Sequence, residues 1–170
     1  MGQEIERKFL VRQLPNVDSL DGDPIVQGYL RADAEGSVRV RITGTGARLT
    51  VKGPTRGHRR LELEYPIPPE DARQMLDALT VGSLIEKVRY RIEHEGFTWE
   101  LDVFSGGNQG LVLAEVELAA VDDEPPLPPW LGAEVSEDAR FFNASLARVP
   151  FSHWPAAVRD HAESGEVAET

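Results

Sequence analysis

Glu4-Ile5-Glu6-Arg7-Lys8-Phe9-Leu10-Val11 begins a strand pattern within the first dozen residues. In a β-strand successive side chains point to opposite faces, so Glu4, Glu6 and Lys8 share one face with Leu10. Ile5, Phe9 and Val11 lie on the other. The same period of two returns along the chain. Val38-Arg39-Val40-Arg41-Ile42 aligns two arginines, and Arg48-Leu49-Thr50-Val51-Lys52 aligns Arg48, Thr50 and Lys52. Leu61-Glu62-Leu63-Glu64-Tyr65 aligns two carboxylates, and Lys87-Val88-Arg89-Tyr90-Arg91-Ile92 aligns three cations. Trp99-Glu100-Leu101-Asp102-Val103 and Glu115-Val116-Glu117-Leu118 each align two acids. Gln27-Gly28-Tyr29-Leu30-Arg31 reads as a further strand. Turn residues separate the runs, among them Gly44-Thr45-Gly46, Gly53-Pro54, Glu95-Gly96 and the hairpin turn Gly106-Gly107-Asn108.

Two helices interrupt the strands. Glu70 to Leu79 follows two prolines, carries acids in its first turn and spaces Ala72, Met75, Leu76 and Leu79 on one side. Ser136 is placed to cap a second helix carrying Phe141, Phe142, Leu146 and Val149. The result is a mostly β, α+β domain over residues 1–155. A proline-rich connector at 122–129 leads to Trp130 and Leu131, which can anchor it to the core. Residues 156–170 are small and polar without an apolar period, which predicts an acidic, disordered tail.

The chain has 170 residues, a formal net charge of −11 and no cysteine. The last point excludes thiol catalysis and cysteine metal sites, and fits a reducing, cytoplasmic setting. An acidic surface disfavours nucleic acid and anionic membranes as partners. The start is charged rather than apolar, and no apolar run reaches the roughly 20 residues of a membrane span. The charge is unevenly spread: −4 over residues 1–121, −6 over 122–138 and −3 over 156–170. The strand region is thus nearly balanced.

One wet face of an antiparallel sheet ordinarily carries charge. Rows of one sign on consecutive same-face positions are different, because like charges side by side repel. They are relieved if a ligand of opposite sign enters between them. About eight strands can close into a barrel, with the charged faces turned inward as a tunnel and the apolar faces outward under the helices. Arginine forks and lysines suit phosphate oxygens. Carboxylate clusters without cysteine or paired histidine suit Mg²⁺ or Mn²⁺. The combination points to a metal–polyphosphate complex. His58, His94, His153 and His161 are scattered and read as surface or structural residues, and Trp99, Trp130 and Trp154 as packing.

Taken in order, these runs resemble the CYTH proteins, also called triphosphate tunnel metalloenzymes. Glu4-Ile5-Glu6-Arg7-Lys8 matches their ExExK signature, and Val38–Arg41, Leu49–Gly53 and Glu62–Glu64 resemble the following strands. Lys87-Val88-Arg89-Tyr90, Glu100–Phe104 and Ala114–Glu117 continue the series, and residues 128–141 are similar to the C-terminal segment of short bacterial members. The resemblance implies a closed eight-stranded antiparallel barrel that holds a triphosphate chain. It implies a substrate-binding set of Lys8, Arg39, Arg41, Lys52, Lys87 and Arg89. The implied metal set is Glu4, Glu6, Glu62, Glu64, Glu100, Asp102, Glu115 and Glu117, serving two Mg²⁺ or Mn²⁺ ions. Lys87, Arg39, Arg41 and Glu4 would be catalytic. The expected activity is hydrolysis of the terminal phosphate of inorganic triphosphate by a cytoplasmic monomer or homodimer, with weaker action on nucleoside triphosphates. The alternatives are a thiamine triphosphatase, a class IV adenylyl cyclase or a non-catalytic polyphosphate-binding module. Arg91 and Tyr29 are left between tunnel-lining and structural roles.

Overall fold

The computed structural model describes residues 5–54, 61–120 and 122–168. Glu4 and His58, singled out above, lie outside the described residues. Among the described residues, nine strands form one antiparallel sheet: β1 (Ile5–Val11), β2 (Asp23–Asp33), β3 (Gly36–Thr43), β4 (Gly46–Lys52), β5 (Glu62–Ile67), β6 (Val81–His94), β7 (Phe97–Ser105), β8 (Val112–Leu118) and β9 (Leu131–Glu134). Three helices accompany them: α1 (Pro69–Leu79), α2 (Asn143–Arg148) and α3 (Ala156–Glu163). The strand order is β5-β4-β3-β2-β6-β7-β8-β1-β9.

The mostly β, antiparallel reading holds, but the ring does not close. Among the described residues β5 and β9 are the two edges. β9 pairs with the Phe9–Val11 end of β1 and takes an edge that closure would use. Pro66 leaves β5 without one backbone donor. The sheet still curls: residues from all of β1 to β8 line a single cavity.

The outer apolar face is covered in two places. α1 lies over β2, β3 and β4, where Val40, Ala47, Ala72 and Leu76 are buried together. Gly28 permits this approach, since a Cβ there would meet Thr80 Oγ1 at 2.8 Å and Leu76 Cδ2 at 2.9 Å. On the other half, Trp99 is fully buried between Phe9 and Trp130, with edge-on ring centroids at 5.6 and 6.2 Å. The connector is thus anchored by Trp130, as expected.

The inner face also has an apolar core, which the strand pattern did not announce. Leu10, Tyr29, Ile85, Phe104 and Leu113 sit on the same strand faces as the charged rows. They pack against Phe141, Leu146, Phe151 and Trp154 from the C-terminal segment. This apolar floor turns the expected tunnel into a cup.

The C-terminal region corrects two expectations. Ser136 does not cap a helix; its Oγ accepts the Lys8 backbone N–H at 2.9 Å and donates to Glu134 at 2.6 Å. A turn at Ala139–Phe141, started by Asp138, precedes the short α2. The segment expected as a frayed tail instead contains α3, whose Ala162 is buried in the floor core. Gly165 then accepts the Ala133 N–H of β9 at 2.8 Å. Among the described residues no helix is long and apolar enough to cross a membrane.

Candidate active site

The charged rows stand above the apolar floor in register. On β1 the inward residues run Leu10, Lys8, Glu6; on β7 they run Phe104, Asp102, Glu100; on β8, Leu113, Glu115, Glu117. A cavity of about 550 Å³ opens over them. Glu6, Lys8, Arg39, Arg41, Lys52 and Arg89 are among its walls, with Glu62, Glu64, Glu100 and Glu115. Phe142, Asn143, Ala144 and Arg148 bring α2 to its rim.

Strand order decides which row meets which. β1 pairs with β8, so Lys8 lies opposite Glu115, and the two are 3.0 Å apart. β6 pairs with β7, so Arg89 lies opposite Asp102. Arg89 grips Asp102 through Nε and a terminal nitrogen, each at 2.7 Å, and also reaches Glu100 and Glu115. Lys87 Nζ donates to Asp102 at 2.5 Å and lies 5.2 Å from the Phe104 ring centre. Burial opposes the charge on Asp102, but Lys87 and Arg89 outweigh it and hold the carboxyl well below the ordinary range. Glu115 is buried too, and Lys8 leads the cations that pull it down. Burial pushes the Lys87 ammonium down, and Asp102 opposes this. Arg89 goes up because its carboxylate partners overcome burial.

Both Asp102 oxygens accept hydrogen bonds from Lys87 and Arg89. The Lys87 side chain has no solvent exposure and is absent from the cavity wall.

The opposite half of the cup is different. Arg39 and Arg41 on β3 make no ion pair among the described residues. Three of their four strand neighbours are neutral: Gln27 and Tyr29 on β2 face Arg41 and Arg39, and Thr50 on β4 faces Arg39, while the fourth, opposite Arg41 on β4, is Arg48. Arg41 Nε donates to Gln27 Oε1 at 2.7 Å, and Arg39 donates to Thr50 Oγ1 at 3.3 Å. Burial, then Arg39 and Arg89, push the Arg41 guanidinium down to about 10. Lys52 and Glu62 pair at 3.0 Å near the β5 edge, and Glu64 accepts from Arg48 and Thr50, each at 3.1 Å.

The carboxylates supply the oxygen donors a divalent cation requires. Glu6 lies opposite Glu117, and Glu100 opposite Glu115, in the sheet register. Like charges directly opposed destabilise a sheet unless a cation intervenes. These four also border a second depression of about 490 Å³ beside the β6–β7 turn. Donor chemistry and charge therefore fit a divalent ion. Among the described residues no three carboxylates converge to ligating geometry.

The remaining candidates are ordinary. Arg91 is exposed and pairs with Glu100 at 3.4 Å. Arg140 bonds Asp138 and lies over the Phe141 and Trp154 rings, away from the cavity. Tyr29 does both things considered for it, lining the cavity and packing in the floor core. Sequence reasoning missed Gln27, Thr50 and Phe142. Gln27 and Thr50 were visible as neutral members of period-two runs, but nothing in the runs said that they face arginines.

Residues 2–148 match the CYTH domain. The chain belongs to the CYTH family. Among its CYTH relatives, the inorganic triphosphatase of Acetivibrio thermocellus is 43% identical over 154 residues, covering 91% of this chain and 99% of that protein. The inorganic triphosphatase of Nitrosomonas europaea is 40% identical over 148 residues, covering 85% and 96%. The crystal structure of the inorganic triphosphatase NE1496 superposes with a TM-score of 0.66 at 40% identity, over 85% of this chain and 97% of that one. A putative adenylate cyclase from Bacillus halodurans, at 17% identity and a TM-score of 0.52, shares the fold.

Proposed function

We propose that this CYTH protein is a divalent-metal-dependent enzyme that hydrolyses inorganic triphosphate to pyrophosphate and phosphate. The observation that carries the reading is the Arg39–Arg41 pair, two half-buried guanidiniums with no carboxylate partner among the described residues, facing a cavity whose other wall bears opposed carboxylates. Two relatives at 40–43% identity are named inorganic triphosphatases, which supports the same substrate.

Arg39 and Arg41 bind non-bridging oxygens of the chain through planar forks. As the terminal P–O bond lengthens, charge gathers on the departing pyrophosphate, and these fixed cations offset it without reorganising. Lys8, Lys52 and Arg89 supply further positive charge at the wall, each already tied to a carboxylate that fixes its place. Glu6, Glu100, Glu115 and Glu117 would hold Mg²⁺ or Mn²⁺, with Glu62 and Glu64 at the β5 side and Glu4 outside the described residues. When bound, such an ion neutralises phosphate charge and lowers the pKa of a coordinated water. The apolar floor closes one end of the cup, so the chain enters from the rim.

A second reading, a triphosphate carrying a ring, is favoured by one observation. The Phe142 ring is partly exposed at the rim, 5.5 Å from Lys8 Nζ, and offers a stacking face. Phosphate release from triphosphate, ATP, GTP and thiamine triphosphate, each with Mg²⁺ and Mn²⁺, separates the two. The proposal expects triphosphate to be cleaved with the highest kcat/KM and all turnover to stop on chelation. Turnover of a ring-bearing substrate alone favours the second reading, and no turnover of any of them with either metal rejects both.

A further inference from the structure

Gln27 has no solvent exposure, yet it is a polar side chain on the inward face of β2. Its Oε1 accepts the Arg41 Nε–H at 2.7 Å, while its Nε2 is buried with no partner among the described residues. Turning the amide over would set an N–H against the arginine N–H, so the carbonyl must face Arg41. A buried donor without an acceptor is unfavourable, and a leucine of similar size would avoid it. The contact therefore needs an explanation beyond packing. Three other cations at the cavity supply the contrast, while Arg39, like Arg41, meets a neutral acceptor. Lys8, Lys52 and Arg89 are each held by a carboxylate, which positions them and cancels their charge together. Arg41 is held by a neutral acceptor, and its cross-strand neighbour on β4 is Arg48.

We propose that Gln27 is a positioning residue for Arg41, a buried neutral acceptor that aims the guanidinium at the cavity while leaving its charge uncancelled for the polyanion. This rests on the triphosphatase reading above. Glutamate at position 27 would keep the geometry and remove the net charge. Leucine would keep the volume and remove the hydrogen bond.

The test compares the full-length wild type with Gln27→Glu and Gln27→Leu. Steady-state hydrolysis of triphosphate with Mg²⁺ or Mn²⁺ is measured beside calorimetric binding of triphosphate and the thermal midpoint. Arg41 both binds the chain and offsets charge on the departing pyrophosphate, so cancelling its charge weakens binding and lowers kcat as well. For Gln27→Glu we expect KM and Kd to rise by about tenfold or more, kcat to fall, and the midpoint to be unchanged or higher. For Gln27→Leu we expect KM to rise by a few fold, on the order of 3 to 5, because Arg41 loses its aim. Wild-type KM and Kd in Gln27→Glu overturn the proposal. If Gln27→Glu does not fold, wild-type KM in Gln27→Leu does the same. If the wild type binds triphosphate without hydrolysing it, the activity reading fails, and the Kd comparison still decides the role of Gln27. Absence of wild-type binding overturns both.

Discussion

The two halves of the cup treat charge in opposite ways. In the β6-β7-β8-β1 half, Lys8, Lys87 and Arg89 are bound to Asp102, Glu100 and Glu115 in one buried network. In the β2-β3-β4 half, Arg39 and Arg41 are held by Gln27 and Thr50, with no carboxylate among the described residues. The first half is a self-neutralised frame that fixes lysines, an arginine and carboxylates against the apolar floor. The second is a wall of positive charge left open to a ligand. A row of like charge in one strand does not reveal which of these it belongs to.

The contrast breaks most visibly at Asp102. Asp102→Asn leaves Lys87 and Arg89 facing each other without a full counter-charge. Breaking a buried pair costs about 3–5 kcal/mol, so the urea midpoint should fall sharply. An unchanged midpoint would mean that the network is not the frame. Arg41→Met should show the reverse. Its charge is already disfavoured by burial and by Arg39 and Arg89. Stability should hold or rise, while kcat/KM for triphosphate falls by about 10²-fold or more, a loss of transition-state binding. Equal kcat/KM in the variant would remove Arg41 from the site.

The paired half should also be the acid-sensitive one. Asp102 and Glu115 have carboxyls held below their ordinary range, so the folded state binds fewer protons than the unfolded chain. Their contribution is complete above the unfolded carboxylate range near pH ~4 and is lost as pH falls through their lower folded values. Urea unfolding between pH 7 and 3 should show wild-type stability falling at the acid end, and Asp102→Asn losing less over the same span. A parallel decline in both would remove Asp102 as the source. Glu117→Gln relieves the opposed Glu6–Glu117 pair. It should raise the Mg²⁺ or Mn²⁺ concentration for half-maximal activity by roughly tenfold and leave the fold intact, consistent with the loss of one ligand oxygen. An unshifted metal titration would place the ion elsewhere. The smallest effect is expected at Arg31. It is exposed and among the described residues pairs with its neighbour Asp33, so Arg31→Ala should leave the urea midpoint essentially unchanged.

Much of this architecture was legible in the chain. Period-two alternation marked the strands, and α1 followed from Pro68-Pro69 and the spacing of Ala72, Leu76 and Leu79. The inward charge of Lys8, Arg39, Arg41, Lys52, Arg89, Glu100 and Glu115 could be read from the same alternation. Partner choice could not. That Lys8 meets Glu115 depends on β1 pairing with β8, more than a hundred residues away. That Arg41 meets a neutral Gln27 depends on β2 lying beside β3. The apolar floor was hidden because Leu10, Ile85 and Phe104 each continue a charged row by a single residue. β9 was hidden because Leu131–Glu134 is short and gains its strand form from the edge of β1. The segment from Ala156 carries little periodicity of its own, and α3 is held by docking Ala162 into a core built by the rest of the chain.

The central claim is that Arg39 and Arg41 form the open cationic wall that receives the triphosphate. Calorimetric titration of triphosphate with saturating Mg²⁺ or Mn²⁺ into the wild type and the Arg39→Met, Arg41→Met double variant tests it most directly. The account predicts one site per wild-type chain, an affinity lower by about 10²-fold or more in the double variant, and the same thermal midpoint for both. Equal affinities in two folded proteins would contradict it.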